Sequence, residues 1–211
     1  MKKVMVYKRF ERFWHWLQAL LIILLALTGF DIHYAQLHLF DFHMAHQIHQ
    51  VCAWSFIVLV AFAIFWHITT GEWKQYIPTR KYVGAMIQFY LVGIFKNAPH
   101  PVKKTLISKL NPLQKLVYLG LKILIIPVMV TTGLMLIYYN ELLAAGYNLS
   151  LGVLATIHTI GAFGLMVFLA GHIYLITTGH TPMSNLKAMI TGYEELDEND
   201  TQPTESVANQ A

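Results

Sequence analysis

Four apolar segments constrain the fold of this chain more than any other feature. A membrane-spanning helix needs ~20 predominantly apolar residues, and such runs occur at about Phe13–His33, His46–Thr70, Pro112–Asn140 and Ser150–Thr178. The 211 residues are 56% apolar and 12% charged, whereas a soluble domain carries about a quarter charged residues. The sequence therefore predicts an all-α membrane protein, with a four-helix bundle in residues 1–193.

The basic residues predict how the chain crosses the membrane. All 15 lysines and arginines lie before Phe13, between Lys74 and Lys122, or at Lys187. The connections at 31–45 and 141–149 contain none, and short loops rich in lysine and arginine stay in the cytoplasm. Both termini and the middle loop are therefore expected in the cytoplasm. The same distribution accounts for the net charge of +4, so nucleic-acid binding is not indicated.

Two further segments are predicted outside the spans. The middle loop contains an apolar stretch from Tyr82 to Phe95 with a lysine on either side. It is too short to span comfortably, so it is expected to form an extra helix on the cytoplasmic membrane surface. Residues 194–211 are acidic and polar with little apolar content, which is typical of a disordered tail.

Two histidines inside the fourth span indicate a function within the membrane. His158 and His172 are 14 residues apart, which returns them to nearly the same helix face and separates them by ~21 Å along the axis. Ionisable side chains are costly in a bilayer, and their presence there is a functional hypothesis by default. The pair therefore predicts two ligand-binding levels, one near each end of the span.

The predicted topology assigns a partner to each of these histidines. The fourth helix runs inward, so His158 lies near the outer face and His172 near the inner face. His49 begins the second helix at the outer depth, and His15 begins the first helix at the inner depth. The pairs His49/His158 and His15/His172 are each suited to a six-coordinate b-type haem. The predicted cofactors are thus two haem b groups, one at each level.

Two other histidines are candidates for the sites, and the single cysteine excludes other cofactors. His46 precedes His49 by three residues and could replace it on the same helix face. His67 lies ~27 Å beyond His49 along the helix, so it is either a proton-transfer group near a quinone or an ordinary interfacial histidine. Cys52 is the single cysteine, which excludes a disulfide scaffold and a cysteine-ligated iron–sulfur cluster.

Several motifs between Arg9 and about Tyr193 have counterparts in a known family. They are Arg12-Phe13-Trp14-His15-Trp16, His158, Gly171-His172-Ile173-Tyr174 and Leu186-Lys187-Ala188-Met189-Ile190-Thr191-Gly192. Through them the chain resembles the di-haem cytochrome b subunits that anchor periplasmic respiratory enzymes. These include the b subunits of nickel–iron hydrogenases, the gamma subunit of nitrate-inducible formate dehydrogenase, and thiosulfate reductase cytochrome b.

The entrance to the third helix carries a second likeness. The stretch 109–115 is similar to the K-x-N-x-x-Q-K motif of the formate dehydrogenase type, in which the asparagine lies at the quinone pocket beside the inner haem. That resemblance implies that Asn111 contacts the quinone. Asparagine is also a good N-cap, and the two roles are compatible.

The resemblance implies a subunit that moves electrons between a periplasmic redox partner and the quinone of a bacterial inner membrane. The partner would be a thiosulfate or tetrathionate reductase-like protein, a hydrogenase or a formate dehydrogenase, and the chain would not be catalytic alone. Two alternatives stay open. One is a stand-alone b-type superoxide:quinone oxidoreductase, and the other is a histidine-lined metal or proton transporter without haem.

Overall fold

The computed structural model describes residues 2–34, 39–96, 98, 101–102, 109–179 and 181–196. In chain order, the longer elements are β1 (Lys2–Met5), α1 (Arg9–His33), α2 (Phe42–Thr70), α3 (Val83–Gln88), α4 (Pro112–Gly120), α5 (Ile126–Ile137), α6 (Tyr139–Ala144), α7 (Leu151–Ile176), α8 (Ser184–Thr191) and β2 (Tyr193–Leu196). A π-helical turn at Leu121–Ile125 joins α4 to α5, so that these three pieces form one continuous helix.

Among the described residues, four helices are long and apolar enough to cross a membrane: Arg9–His33, Phe42–Thr70, Pro112–Ile137 and Leu151–Ile176. The predicted all-α membrane fold is confirmed. The second helix begins four residues earlier than predicted because Asp41 caps it, its carboxylate accepting the His43 backbone N–H at 3.1 Å. Side-chain acceptors of this kind satisfy the unpaired N–H groups of a first helical turn.

The chain divides into two compact units. The four-helix unit comprises Phe13–Gly71 and Leu121–Leu169, and the terminal unit comprises Met1–Arg12, Glu72–Gly120 and Ala170–Ala211. The core of the four-helix unit is a cluster from α1 and α2, formed by Leu21, Ile22, Cys52, Phe56 and Leu59. Lipid is as apolar as these side chains, so van der Waals packing between them, and not removal from water, favours close contact of these two helices.

A buried acid near the end of α1 binds the backbone just before α2 in the four-helix unit. Asp31 is 5% exposed, and its carboxylate accepts the backbone N–H groups of Leu39 at 3.1 Å and Phe40 at 2.9 Å. Hydrogen bonds from backbone N–H groups compensate the cost of removing the carboxylate from water. The acid therefore has a structural explanation at the end of an apolar helix.

The terminal unit contains a two-stranded antiparallel ribbon that the sequence did not predict. Strands β1 and β2 pair with Lys2 opposite Leu196 and Met5 opposite Tyr193. Gly192 precedes β2 at φ 90°, and its carbonyl accepts the backbone N–H groups of Val6 and Tyr7. Three residues of the range expected to be a disordered tail thus lie in a strand, while 197–211 lie outside the described residues.

The surface helix predicted in the middle loop is present as α3 and its continuation to Lys96. Met86 and Tyr90 are buried on one side of it, whereas Leu91 and Phe95 are 70% and 77% exposed. A helix with a protein-facing side and an exposed apolar side is suited to an interfacial position. Its location on the cytoplasmic membrane surface stays a prediction.

Candidate cofactor sites

The structure brings together the two histidines that the sequence assigned to the outer level. His49 of α2 and His158 of α7 have ring centroids 6.5 Å apart, with ring planes at 70°. Two imidazoles whose nitrogens each lie ~2 Å from one metal ion have centroids ~6 Å apart. Both rings are half-buried within the four-helix unit. Their spacing therefore fits two histidines that would hold one metal ion between them.

Each of these imidazoles is held by a threonine hydroxyl from another helix. Thr28 Oγ1 lies 2.9 Å from His49 Nδ1, and Thr132 Oγ1 lies 2.9 Å from His158 Nδ1. Both threonines are buried, at 0% and 6% exposure. Metal-bound histidines usually engage their second ring nitrogen with such a neighbour, so the contacts fit a ligand role.

A glycine follows each threonine and leaves room for the ring. A Cβ on Gly29 would lie 3.3 Å from His49 Cε1, and a Cβ on Gly133 would lie 3.3 Å from His158 Cε1. Sequence analysis missed these four residues. The available signal was a Thr-Gly pair in two predicted spans, at 28–29 and 132–133.

His46 is placed differently from His49. Its side chain is exposed, and its ring stacks on Phe42 with centroids 6.4 Å apart and planes at 19°. The ring contact with His158 is made by His49. Of the two alternatives that the sequence left open for the outer level, the geometry therefore favours His49.

The two inner-level histidines fall in different units. His172 is half-buried in the terminal unit, and the Tyr118 hydroxyl lies 3.1 Å from its Nδ1. His15 is in the four-helix unit, where its ring makes an edge contact with Trp16 at 5.2 Å. The pairing of His15 with His172 stays a prediction. Tyr118 is a further residue that sequence analysis missed.

Asn111 caps α4 through a reciprocal pair of hydrogen bonds. Its Oδ1 accepts the Gln114 backbone N–H at 2.8 Å, and its own backbone N–H donates to Gln114 Oε1 at 3.0 Å. This is a capping box. Asn111 Nδ2 also donates to the Tyr90 hydroxyl at 2.9 Å, and Asn111 is 6% exposed. The predicted cap role is observed, and a quinone contact stays a prediction.

Tyr90 connects this cap to the end of the fourth span. Its backbone carbonyl accepts the Tyr174 hydroxyl at 2.9 Å, and Tyr174 is two residues beyond His172. Burial raises the pKa of the Tyr90 hydroxyl above its usual value, so it stays protonated at neutral pH. Asn111 therefore lies in a network of neutral hydrogen-bonding groups within the terminal unit.

An ionic cluster of three nearly buried side chains, Lys109, Glu11 and Glu72, and the exposed Lys8 lies in the same unit. Lys109 Nζ is 2.7 Å from Glu11 Oε1 and 3.5 Å from Glu72 Oε2, and Lys8 Nζ is 2.8 Å from Glu72 Oε1. Burial acts to raise the pKa of Glu72, but the hydrogen bonds and charges of the two lysines outweigh it and lower the pKa. Glu72 is therefore ionised at neutral pH.

His67 is buried in the four-helix unit, at 8% exposure. Its Nδ1 lies 2.6 Å from the Ala63 carbonyl oxygen, and its ring meets the rings of Trp14 and Trp66 edge-on, with centroids 5.4 and 5.1 Å apart. A carbonyl can only accept, so Nδ1 carries the proton. Burial between two tryptophans argues against an exposed interfacial position, and a proton-transfer role stays a prediction.

Two comparisons with known proteins found sequences similar to this chain. The sequence profile of the family described as prokaryotic cytochrome b561 matches residues 6–192. A protein of Escherichia coli (strain K12), named "Putative cytochrome YdhU", is 32% identical over 198 residues. That alignment covers 91% of this chain and 75% of the relative.

Proposed function

Because this chain belongs to the prokaryotic cytochrome b561 family, we propose that it is a membrane-anchoring di-haem subunit that moves electrons between a periplasmic redox partner and the quinone pool. Since proteins of this family are membrane cytochromes b, the chain is a membrane protein that binds haem b and transfers electrons. When bound, haem supplies one-electron chemistry, and its axial ligands and surroundings set the potential.

The outer site carries the proposal. His49 and His158 come from different helices, have centroids 6.5 Å apart and are each held by a threonine hydroxyl. Unrelated interfacial histidines would not be expected to lie at the separation that one metal ion requires. Nor would both be expected to be half-buried and to have a threonine hydroxyl at 2.9 Å from Nδ1. Two histidine ligands would leave the iron closed to exogenous ligands, which suits electron transfer.

The inner site is supported by depth and by one contact. His15 and His172 are assigned to the same level because the positions of lysine and arginine predict the topology. Tyr118 orients His172 through Nδ1, as a neighbouring hydroxyl orients a ligand imidazole. We propose that His15 and His172 hold the second haem b.

The quinone is proposed to bind near Asn111, with His67 as a candidate proton-transfer group. Tyr90, from the continuation of α3, and Tyr174, two residues beyond His172, supply further hydrogen-bonding groups. A quinone offers two carbonyl oxygens, and neutral amide and hydroxyl donors recognise them without a charge to desolvate. This location would bring an exchangeable acceptor to the inner level.

The partner is proposed on the side of the lysine-free connections. These connections are short, and the second overlaps the short helix α6, Tyr139–Ala144. They can hardly contain an iron–sulfur or molybdenum domain, so a separate periplasmic subunit would bring those cofactors. Thiosulfate or tetrathionate reductase-like proteins, hydrogenase and formate dehydrogenase are the candidate classes. The membrane would be the bacterial inner membrane, with both termini in the cytoplasm.

Haem content and ligand variants of the full chain in mild detergent test the proposal. We expect two haem b per chain by pyridine haemochrome assay. His158→Ala should remove the outer haem and His172→Ala the inner one, each leaving the other. His43→Ala is a matched control, because His43 is exposed on the same helix as His49 and bonds Gln47. One haem per chain, or loss of both from each variant with helix content preserved, would contradict the proposal.

The two alternatives have separate signatures. A stand-alone superoxide:quinone oxidoreductase would reduce quinone with superoxide at a near-diffusional rate as the isolated chain. A transporter without haem would lack a b-type alpha band in freshly purified protein. Identifying the subunit that co-purifies in mild detergent distinguishes the candidate partners.

A further inference from the structure

The two outer histidines are supported in the same way by two different helices. In α1, Thr28 contacts His49 Nδ1 and Gly29 faces Cε1 of that ring. In α5, Thr132 contacts His158 Nδ1 and Gly133 faces Cε1 of that ring. Both hydroxyl–nitrogen distances are 2.9 Å and both projected Cβ–Cε1 distances are 3.3 Å. All six residues belong to the four-helix unit.

The direction of these hydrogen bonds follows from a count of protons. Thr28 Oγ1 donates to the Leu24 carbonyl at 2.7 Å, and Thr132 Oγ1 donates to the Val128 carbonyl at 2.6 Å. A hydroxyl has one proton and a carbonyl has none to offer. The proton between each hydroxyl and each imidazole must therefore belong to Nδ1, and the hydroxyl accepts it.

This direction fixes the chemical form of both rings. A neutral imidazole carries one N–H, and its other nitrogen has a lone pair. When Nδ1 carries the proton, Nε2 is the nitrogen that can bind a metal ion. The glycines matter in the same geometry because a methyl group in their place would press on Cε1, the carbon between the two nitrogens.

We propose that Thr28 and Thr132 are positioning residues that hold both outer histidines as Nδ1–H tautomers, set their ring planes and thereby tune the outer haem. This inference rests on the proposed function, since it concerns the haem that His49 and His158 would bind. Accepting a hydrogen bond from a ligand imidazole raises the basicity of that ligand. The threonines therefore stabilise the oxidised iron and lower the potential of the outer haem.

The test uses Thr28→Val and Thr132→Val, which keep the shape of the side chain and remove the hydroxyl. Thr28→Ser and Thr132→Ser keep the hydroxyl. Thr131→Val is the matched control, because Thr131 is an exposed residue on the same helix as Thr132. Its hydroxyl donates to the Pro127 carbonyl at 2.7 Å. The readouts are redox titration of both haems in the full chain, and electron paramagnetic resonance of the oxidised protein.

We expect each valine variant to shift the midpoint potential of the outer haem upward and to retain that haem about tenfold less tightly. The inner haem should be unchanged, and the serine variants and Thr131→Val should match the wild type. The imidazole planes of His49 and His158, at 70° to each other, should give the oxidised outer haem a strongly anisotropic low-spin resonance signal. The valine variants should alter this signal, because each removes the hydroxyl that holds one of the two rings.

Two results would overturn the inference while leaving the proposed function intact. One is an outer haem whose potential and resonance signal are the same in both valine variants as in the wild type. The other is an equal shift in the valine and serine variants, which would assign the effect to packing of the threonine methyl group. Absence of the outer haem from the wild-type protein would overturn the proposed function and this inference together.

Discussion

Replacing Gly133 by alanine should weaken haem binding without weakening the helix. The added Cβ would lie 3.3 Å from His158 Cε1, so the ring would have to move by a few tenths of an ångström. Overpacking a well-packed site costs about 1–3 kcal/mol. Because the ring needs to move only slightly, the cost here should lie at the low end of that range. A cost of about 1–2 kcal/mol corresponds to a ~5–30-fold loss of affinity, whereas alanine stabilises a helix interior by about 1 kcal/mol over glycine.

The two effects have opposite signs and can be measured separately. In the haem-free chain the ring of His158 can turn away, so the melting temperature should be unchanged or higher. In the loaded chain the ring is fixed by its ligand bond, so transfer of the outer haem to excess apomyoglobin should accelerate. The equivalent change at Gly29 should act the same way, because its projected Cβ lies 3.3 Å from His49 Cε1.

Gly164→Ala is the matched control for this prediction. Gly164 lies on the same helix as His158, and its projected Cβ makes an ordinary contact with Ile125 Cδ1 at 3.7 Å. It should gain stability without losing haem. If Gly133→Ala and Gly164→Ala retain the outer haem equally well, the steric reasoning about the ligand ring is wrong.

Two further predictions concern the terminal unit. Asn111→Ala should leave both haem spectra intact, lower stability by about 1 kcal/mol through loss of the cap and slow quinone reduction; unchanged quinone kinetics would remove Asn111 from the proposed quinone site. Glu72→Gln should lower the free energy of unfolding at pH 7 by at most about 1 kcal/mol, and with it the melting temperature, because the side chain loses its ionic contacts with Lys8 and Lys109. Since folding lowers the pKa of Glu72, the stabilisation it provides is present above its usual pKa of 4.5 and is lost as pH falls through the lowered value. The two melting curves should therefore converge in acid, and a difference that persists at pH 3 would refute this.

The sequence predicted the spans and the histidine levels because both depend on local properties. Membrane thickness sets the length of an apolar helix, and the helical repeat places His158 and His172 on nearly the same face. Both properties depend on residues within one segment. The choice between His46 and His49 could not be made in this way, since residues three apart share a helix face.

The threonines were missed for a related reason. Hydroxyl groups in these helices commonly donate to a carbonyl of the preceding turn, as Thr131 and Thr156 do. Thr28 and Thr132 make the same local bond, so sequence does not distinguish them. Their second contact, to a histidine of another helix, depends on how the helices are packed.

What the sequence determined by itself was the set of membrane helices and the family likeness, because hydropathy and sequence motifs act along the chain. It also predicted a depth for each histidine from periodicity and charge. The tertiary structure alone decided that His49 meets His158, that threonine hydroxyls hold both rings, and that β1 pairs with β2. Each of these joins residues distant in sequence, so each depends on packing and hydrogen-bond geometry that no local pattern encodes.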